Sequence, residues 1–341
     1  MSAPSAAIYG WRAPDLDPER AAFFRDSNPW GFILFAEACR SRAQVRKLVE
    51  ALWETVGREA LVFIDQEGGR VARLKPPEWP VFPPAARYGD LYRIDQAAGL
   101  EACRLGHRLM AHELAALGVR ADCAPVLDLP AADADPIIGD RAFGADPAQI
   151  AALGRAALDG LSDGGVAGVI KHIPGHGRAD ADSHLALPKV RVGRQALDLD
   201  FACFKALADA PMAMTAHVLY EAYDAAAPAT TSPTLINDVI RGQIGFDGLL
   251  MTDDLGMKAL EGSWAEKAAA SFAAGCDVAL HCSGDLAEMV ALAAAIDPLD
   301  GKPLARAKAA DAAAAVMPSP LDAADAWSRL RELLAPVTPV A

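Results

Sequence analysis

Eight short apolar runs, each followed by a longer stretch with helical spacing, constrain this chain more than any other feature. The runs are Ala6–Gly10, Gly31–Phe35, Leu61–Asp65, Ala121–Leu127, Ala167–Lys171, Ala213–His217, Gly248–Thr252 and Asp277–His281. Helical patterns fall near residues 18–26, 41–57, 96–117 and 147–163, and again near 198–209, 233–241, 263–274 and 286–296. Eight such alternations predict an α/β fold with a closed parallel sheet, the (β/α)8 barrel. A doubly wound open sheet is the alternative, because periodicity alone does not show closure. The strands read as continuous apolar runs, as expected when both faces are covered. Ser41 before Arg42–Leu48, and Ser232-Pro233, supply helix-start signals.

A chain of 341 residues fits one barrel, so a single domain is expected over 1–341. The alanine-rich stretch Ala305–Val316 and the segment to Leu334 read as terminal helices packed outside the barrel, from about residue 304. The end, Ala335–Ala341, is expected to fray. With 32 basic and 45 acidic residues, the net charge of −13 speaks against nonspecific binding to nucleic acid or anionic membranes. Six scattered cysteines without a C-x-x-C pair read as free thiols in a reducing compartment. Met1–Gly10 lacks a basic, apolar export signal, and no run approaches the roughly 20 apolar residues of a membrane span. A soluble, cytoplasmic, monomeric protein without a cofactor is therefore expected.

The densest chemistry lies in Lys171-His172-Ile173-Pro174-Gly175-His176-Gly177, closely followed by Asp182-Ser183-His184. Three of the chain's seven histidines fall in these fourteen residues, directly after an apolar strand. Barrel enzymes place active groups at the C-terminal ends of their strands. There the chain carries Asp65-Gln66-Glu67-Gly68-Gly69-Arg70 with Arg73, then Pro125 and Asp128, the loop Ile138–Phe143, Lys171 and His172, His217, and Asp253-Asp254. Carboxylates, bases and arginines without a phosphate loop point to a neutral, polyhydroxylated substrate, since carboxylates accept from sugar hydroxyls while Arg and Lys donate. Side chains alternate along a strand, so one of Asp253 and Asp254 is expected to face the barrel axis. Capping the next helix suits Asp254.

Five blocks in order resemble the β-N-acetylhexosaminidases of glycoside hydrolase family 3, of the cytoplasmic peptidoglycan-recycling type. They are Asp65–Val71, Ala124–Asp128, Ile138–Phe143, Lys171–Gly177 with Asp182-Ser183-His184, and Gly245–Gly248 through Thr252–Leu255. The resemblance covers about residues 30–285. It implies a single barrel domain of that family's N-terminal type, without the second α/β domain that many members carry. It further implies a retaining exo-β-N-acetylglucosaminidase with a covalent glycosyl-enzyme intermediate. Asp253 is then the nucleophile, and His184, oriented by Asp182, the acid/base. Asp65, Arg73, Arg141, Lys171 and His172 match positions that grip the N-acetylglucosamine ring. The implied substrate is a GlcNAc-containing muropeptide. The chain departs from the pattern over Ile8–Asn28, at Ala36-Glu37-Ala38-Cys39 and at Gly256.

Blander roles exist for several of these residues: helix capping for Asp253, a surface position for His184, and a salt bridge to adjacent Asp140 for Arg141. His176 is expected to shape its loop, His217 to line the pocket floor, and Glu67 and Arg70 to support the residues that bind sugar. The loop Gly175–Ser183 carries little apolar surface and is expected to close over bound sugar. Competing functions are a phosphorylase, a metal-dependent hydrolase using His172, His176, Asp182 and His184 as ligands, and a non-catalytic sugar-binding protein.

Overall fold

The computed structural model describes residues 3–132 and 134–337. Ten strands form: β1 (Ser5–Trp11), β2 (Pro29–Leu34), β3 (Leu61–Ile64), β4 (Ala121–Asp122), β5 (Ala167–Ile173), β6 (Lys189–Val190), β7 (Met212–Thr215), β8 (Leu219–Tyr220), β9 (Leu249–Asp254) and β10 (Val278–His281). Eight of them close a barrel in the order β1-β2-β3-β4-β5-β7-β9-β10, every pair parallel and β10 returning to β1. This is the (β/α)8 barrel, and closure settles the open-sheet alternative. The strands β6 and β8 pair separately as a small parallel ribbon beyond the barrel mouth.

The apolar runs bury both faces as expected: β1 to β3 contain no exposed residue, and all seven residues of β5 are buried. Strand β4 is shorter than the run Ala121–Leu127 because Pro125 has no N–H for the ladder. The extended course nevertheless continues, with Leu127 N–H donating to Lys171 O at 2.8 Å.

Among the described residues, ten α-helices surround the sheet: α1 (Pro18–Ser27), α2 (Arg42–Val56), α3 (Ala85–Ile94), α4 (Gln96–Ala115), α5 (Pro147–Asp163), α6 (Arg194–Lys205), α7 (Trp264–Ala274), α8 (Leu286–Ala293), α9 (Gly301–Ala314) and α10 (Ala323–Leu334). Between α6 and α7, Leu235–Ile244 winds as a π-helix. Ser41 caps α2 through Gln44 N–H, and Ser232 Oγ accepts from Leu235 N–H, as their sequence positions suggested. Helix α3 had no counterpart in the sequence reading. Helix α10 packs on α4 and α3, and Arg306 of α9 bonds Asp277 at 3.0 Å at the start of β10. The expected fraying of residues 335–341 falls mostly outside the described residues. All six cysteines are free thiols, five of them buried and Cys39 half-buried. Among the described residues, no helix is long and apolar enough to cross a membrane.

Candidate active site

A cavity of about 430 Å3 opens at the C-terminal ends of the barrel strands. It gathers Asp65, Arg73, Arg141, Lys171, His172, His184 and Asp253 into one wall-and-floor set. Seven of the eight sequence-selected residues therefore meet there. The eighth, Asp182, stands directly behind His184.

The floor is built on β3 and β5. Asp65 leaves the end of β3, and the turn after it is held by buried Gln66, whose Oε1 accepts from Arg73 N–H and Leu74 N–H at 2.9 and 3.0 Å. Gly68 sits at φ +90° against the carbonyl of Pro83, where a Cβ would come within 2.2 Å, so no other residue fits. Lys171 is buried, its Nζ 2.9 Å from Asp65 Oδ1 and 2.6 Å from Glu67 Oε1. Arg73 reaches Asp65 Oδ2 at 2.9 Å, and Arg141 forks onto both oxygens of Glu67 at 2.8 Å. Two carboxylates and three cations thus interlock, each with an opposite charge in hydrogen-bond reach. Burial alone would raise the Glu67 carboxyl, but Lys171 and Arg141 overturn it and hold it at about 2. The same opposition leaves Asp65 well below the carboxylate range, and keeps Lys171 charged despite its burial. Arg141 therefore pairs with Glu67, while Asp140 is taken by Arg70 at 2.9 Å. Glu67, expected only as a supporting group, is part of the cavity wall.

Lys171 and His172 both reach the cavity although they are consecutive, because the pairing of β5 with β7 slips between Lys171 and Ile173. His172 Nδ1 lies 2.7 Å from Asp128 Oδ2, leaving Nε2 for a ligand. Asp128 is buried, which alone would raise its carboxyl. His172 and His176 outweigh that and bring it to about 2. Asp128 Oδ1 also accepts from His172 N–H at 3.2 Å and His176 N–H at 2.6 Å. This buried aspartate is the brace of the whole Lys171–Gly177 turn, a role that sequence spacing did not reveal.

Asp253 and Asp254 end β9, and both line the cavity. Strict alternation therefore fails here, where the β9–β10 register shifts between Val278 and Leu280. Asp254 caps no helix: α7 starts at Trp264 under a Ser263–Glu266 capping box. Asp254 Oδ1 instead accepts from Gly256 N–H at 3.0 Å and Cys282 N–H at 3.1 Å. The two carboxyls are driven apart. Burial and the neighbouring Asp253 charge push Asp254 up. Burial opposes ionisation of Asp253 too, but His217, His172 and the Asp254 N–H, at 2.8 Å from Oδ1, bring it below the ordinary range. Asp253 is the more readily ionised member of the pair.

At the rim, His184 Nδ1 and backbone N–H both lie 2.9 Å from Asp182 Oδ1. The His184 side chain is 67% exposed. Burial of Asp182 is outweighed by its bonds to His184, which lower its carboxyl and keep it anionic. The loop divides in two. Within 175–183, residues 175–179 are packed, with Arg178 Nε on Asp200 at 2.6 Å and Ala179 buried, Asp180 is exposed, 181–182 are half-buried and Ser183 is buried. The packing of 175–179 runs against a loosely held loop and leaves that expectation to 180–182.

His176 lines the cavity and also bonds Ser183 Oγ at 3.3 Å, tying the loop to the turn. His217 is not in the lining. It lies fully buried behind Asp253 and Asp254. Arg12, Phe35 and Glu37, at the ends of β1 and β2, were not singled out and complete the rim. Arg12 stacks on Phe35 at 4.1 Å and pairs with Glu37 at 3.0 Å. Their position just past two strand ends is a signal that could have found them. Among the described residues, no group of three or more His, Cys, Asp or Glu gathers as a metal site, and His172 and His184 each have Nδ1 engaged by an aspartate.

An anionic carboxylate on the floor, a carboxylate-braced imidazole at the rim and a charged wall between them define a barrel enzyme acting on glycosidic bonds. Residues 17–317 match the glycosyl hydrolase family 3 N-terminal domain, and the chain belongs to that family. It is a glycosidase. The β-hexosaminidase of Alkalilimnicola ehrlichii is 40% identical over 284 residues, 81% of this chain and 80% of that one. NagZ from Neisseria gonorrhoeae superposes with a TM-score of 0.87 at 29% identity, covering 98% of this chain and 99% of its own. A family 3 β-N-acetylglucosaminidase from Paenibacillus sp. str. FPU-7 gives 0.85 at 30% identity over 96% of this chain, which spans 66% of that enzyme's length.

Proposed function

We propose that the protein is a retaining exo-β-N-acetylglucosaminidase that removes non-reducing terminal GlcNAc from peptidoglycan fragments such as GlcNAc-1,6-anhydro-MurNAc-peptides. The observation that carries this reading is one cavity holding a buried, anionic Asp253 and an Asp182-braced His184. The β-hexosaminidase relatives, and the solution of gonococcal NagZ in complex with N-trifluoroacetyl-D-glucosamine, support the sugar.

In the first step an Asp253 oxygen attacks the anomeric carbon as the glycosidic C–O bond breaks, and His184 gives its Nε2 proton to the departing oxygen. In the second, neutral His184 takes a proton from water, the water oxygen bonds to the anomeric carbon, and the Asp253 carboxylate leaves. A second carboxylate usually fills the acid/base role. An imidazole serves instead without adding a negative charge beside the nucleophile, and Asp182 stabilises its protonated form. Asp65, Arg73, Arg141, Lys171 and His172 hold the sugar ring. These steps use only side chains. The protein acts as a monomer in the cytoplasm, in cell-wall recycling.

The test combines trapping with product analysis. A 5-fluoro-GlcNAc donor is expected to label Asp253, and labelling of Asp254 would overturn the assignment. Incubation with a GlcNAc-anhydro-muropeptide, with and without inorganic phosphate, is expected to give free GlcNAc in both. A GlcNAc phosphate product would make the enzyme a phosphorylase.

A further inference from the structure

Behind the cavity floor, three fully buried side chains form a loop that starts and ends on the backbone of β9. Asp253 N–H donates to Thr215 Oγ1 at 3.3 Å. Thr215 Oγ1 is 2.7 Å from Thr230 Oγ1, which is 2.7 Å from His217 Nδ1. His217 Nε2 is 3.0 Å from the carbonyl oxygen of Asp254. None of the three side chains lines the cavity.

The protons on this loop have one consistent order. A carbonyl only accepts, so the His217 proton sits on Nε2. Burial disfavours a second proton on the ring, and in the neutral ring Nδ1 accepts from the Thr230 hydroxyl. Thr230 Oγ1 then accepts from Thr215 O–H, and Thr215 Oγ1 from Asp253 N–H. The Ala216 carbonyl, 3.2 Å from Thr230 Oγ1, is the competing acceptor.

The location explains the need. Pairing of β9 with β7 ends at Met251 opposite Met214, so Asp253 has left that ladder. A side-chain hydroxyl stands where the next ladder carbonyl would be. The Asp253 carboxylate is tied to this same short segment, because its Oδ1 accepts from Asp254 N–H at 2.8 Å. Any rotation of the 253–254 peptide would swing the carboxylate with it.

We propose that Thr215, Thr230 and His217 are positioning residues that fix the aim of the nucleophile by clamping the N–H of Asp253 and the carbonyl of Asp254. This inference rests on Asp253 being the nucleophile. A misaimed nucleophile hinders attack but not sugar binding, so the clamp acts on kcat and leaves KM in place.

The experiment compares Thr215→Val with Thr215→Ser, using an aryl β-GlcNAc and the 5-fluoro-GlcNAc donor. Valine keeps the shape and removes the acceptor. The expected result is a kcat and an Asp253 labelling rate lowered on the order of 10- to 100-fold at unchanged KM, with most of the loss recovered by serine. If the valine variant does not fold, the comparison is read at His217. His217→Gln carries an N–H to the Asp254 carbonyl and is expected to retain most of kcat, whereas His217→Asn is too short and is expected to lose it. Wild-type labelling rates in folded Thr215→Val, an equal fall in Thr215→Val and Thr215→Ser, or equal rates for His217→Gln and His217→Asn would overturn the clamp. Labelling of the wild-type enzyme at a residue other than Asp253 would instead sink the reading on which it rests.

Discussion

The floor and the rim of the cavity are built on opposite plans. On the floor, Lys171 is 2% exposed and shares two carboxylates, and Asp65, Glu67 and Arg141 are each held by opposite charge. At the rim, His184 is 67% exposed and its one side-chain partner is Asp182. Groups that must present a fixed pattern to a sugar are preorganised by burial, at the expense of depending on one another for stability. A group that shuttles protons to and from solvent stays at the surface, where its loss costs the fold little. Rate and stability should therefore come apart between the two regions.

The largest expected effect tests the floor chemically. Asp253→Ala should lower turnover by more than about 10^4-fold, with the far-UV circular dichroism spectrum unchanged. His184→Ala should slow cleavage of a natural disaccharide about 10^2- to 10^4-fold while the thermal midpoint stays within a degree or two of wild type. A good aryl leaving group should shrink the defect in the first step, and near-normal activity on the disaccharide would remove His184 from the acid/base role. Asp182→Ala should act in the same direction, more mildly.

Lys171→Met should do the reverse. It removes one of the two cations that hold each of Asp65 and Glu67 and should cost about 3 kcal/mol in urea denaturation, with KM raised. A variant as stable as wild type would show that the floor charges do not depend on one another.

Acid sharpens the contrast further. Glu67 and Asp128 titrate at about 2 in the folded protein, below their ordinary values. Their stabilisation is complete above about pH 5 and is lost as pH falls toward 2. Unfolding free energy measured across that window should fall steeply in the wild type and less steeply in Glu67→Gln, relative to each protein's own value at pH 7.

The smallest effect concerns the loop. Proline at Ala179 would remove the bond from Ala179 N–H to His176 O at 3.0 Å and disturb a buried residue, so it tests packing rather than motion. Proline at Ala181 in the looser half is expected to lower kcat severalfold, within the range of gating mutations. Hydrogen exchange over 180–187 should slow when product is bound. Equal protection in both states would count against closure.

The barrel was readable in the sequence because each strand is a continuous apolar run and each site residue follows one. Helix α3 was not. Its packing is nevertheless specific: a Cβ on Gly89 would come within 1.8 Å of the Phe143 carbonyl. The blocks of the resemblance selected Asp253 and the sugar-facing residues, and the cavity brings them together. They could not show that Asp254 would turn its carboxyl onto the N–H groups of Gly256 and Cys282, because Cys282 is 28 residues away. His217 was misplaced for a similar reason. Its partners, Thr230 and Asp254, come from two other segments of the chain. Rim residues Arg12 and Glu37 lie where the sequence departs from the family pattern, so no motif pointed to them.

One consequence of the layout is evolutionary. The proposed sugar-holding set is drawn from two strands and two separate connections, so on that reading a change in the ring it recognises requires coordinated substitutions far apart in the gene. The proposed acid/base pair occupies a single span of three residues, Asp182-Ser183-His184. One short insertion, deletion or exchange there can replace the proton donor while the inherited binding surface stays intact. On the proposed roles, expulsion of the leaving group is set by one short span, whereas the choice of sugar is spread over four.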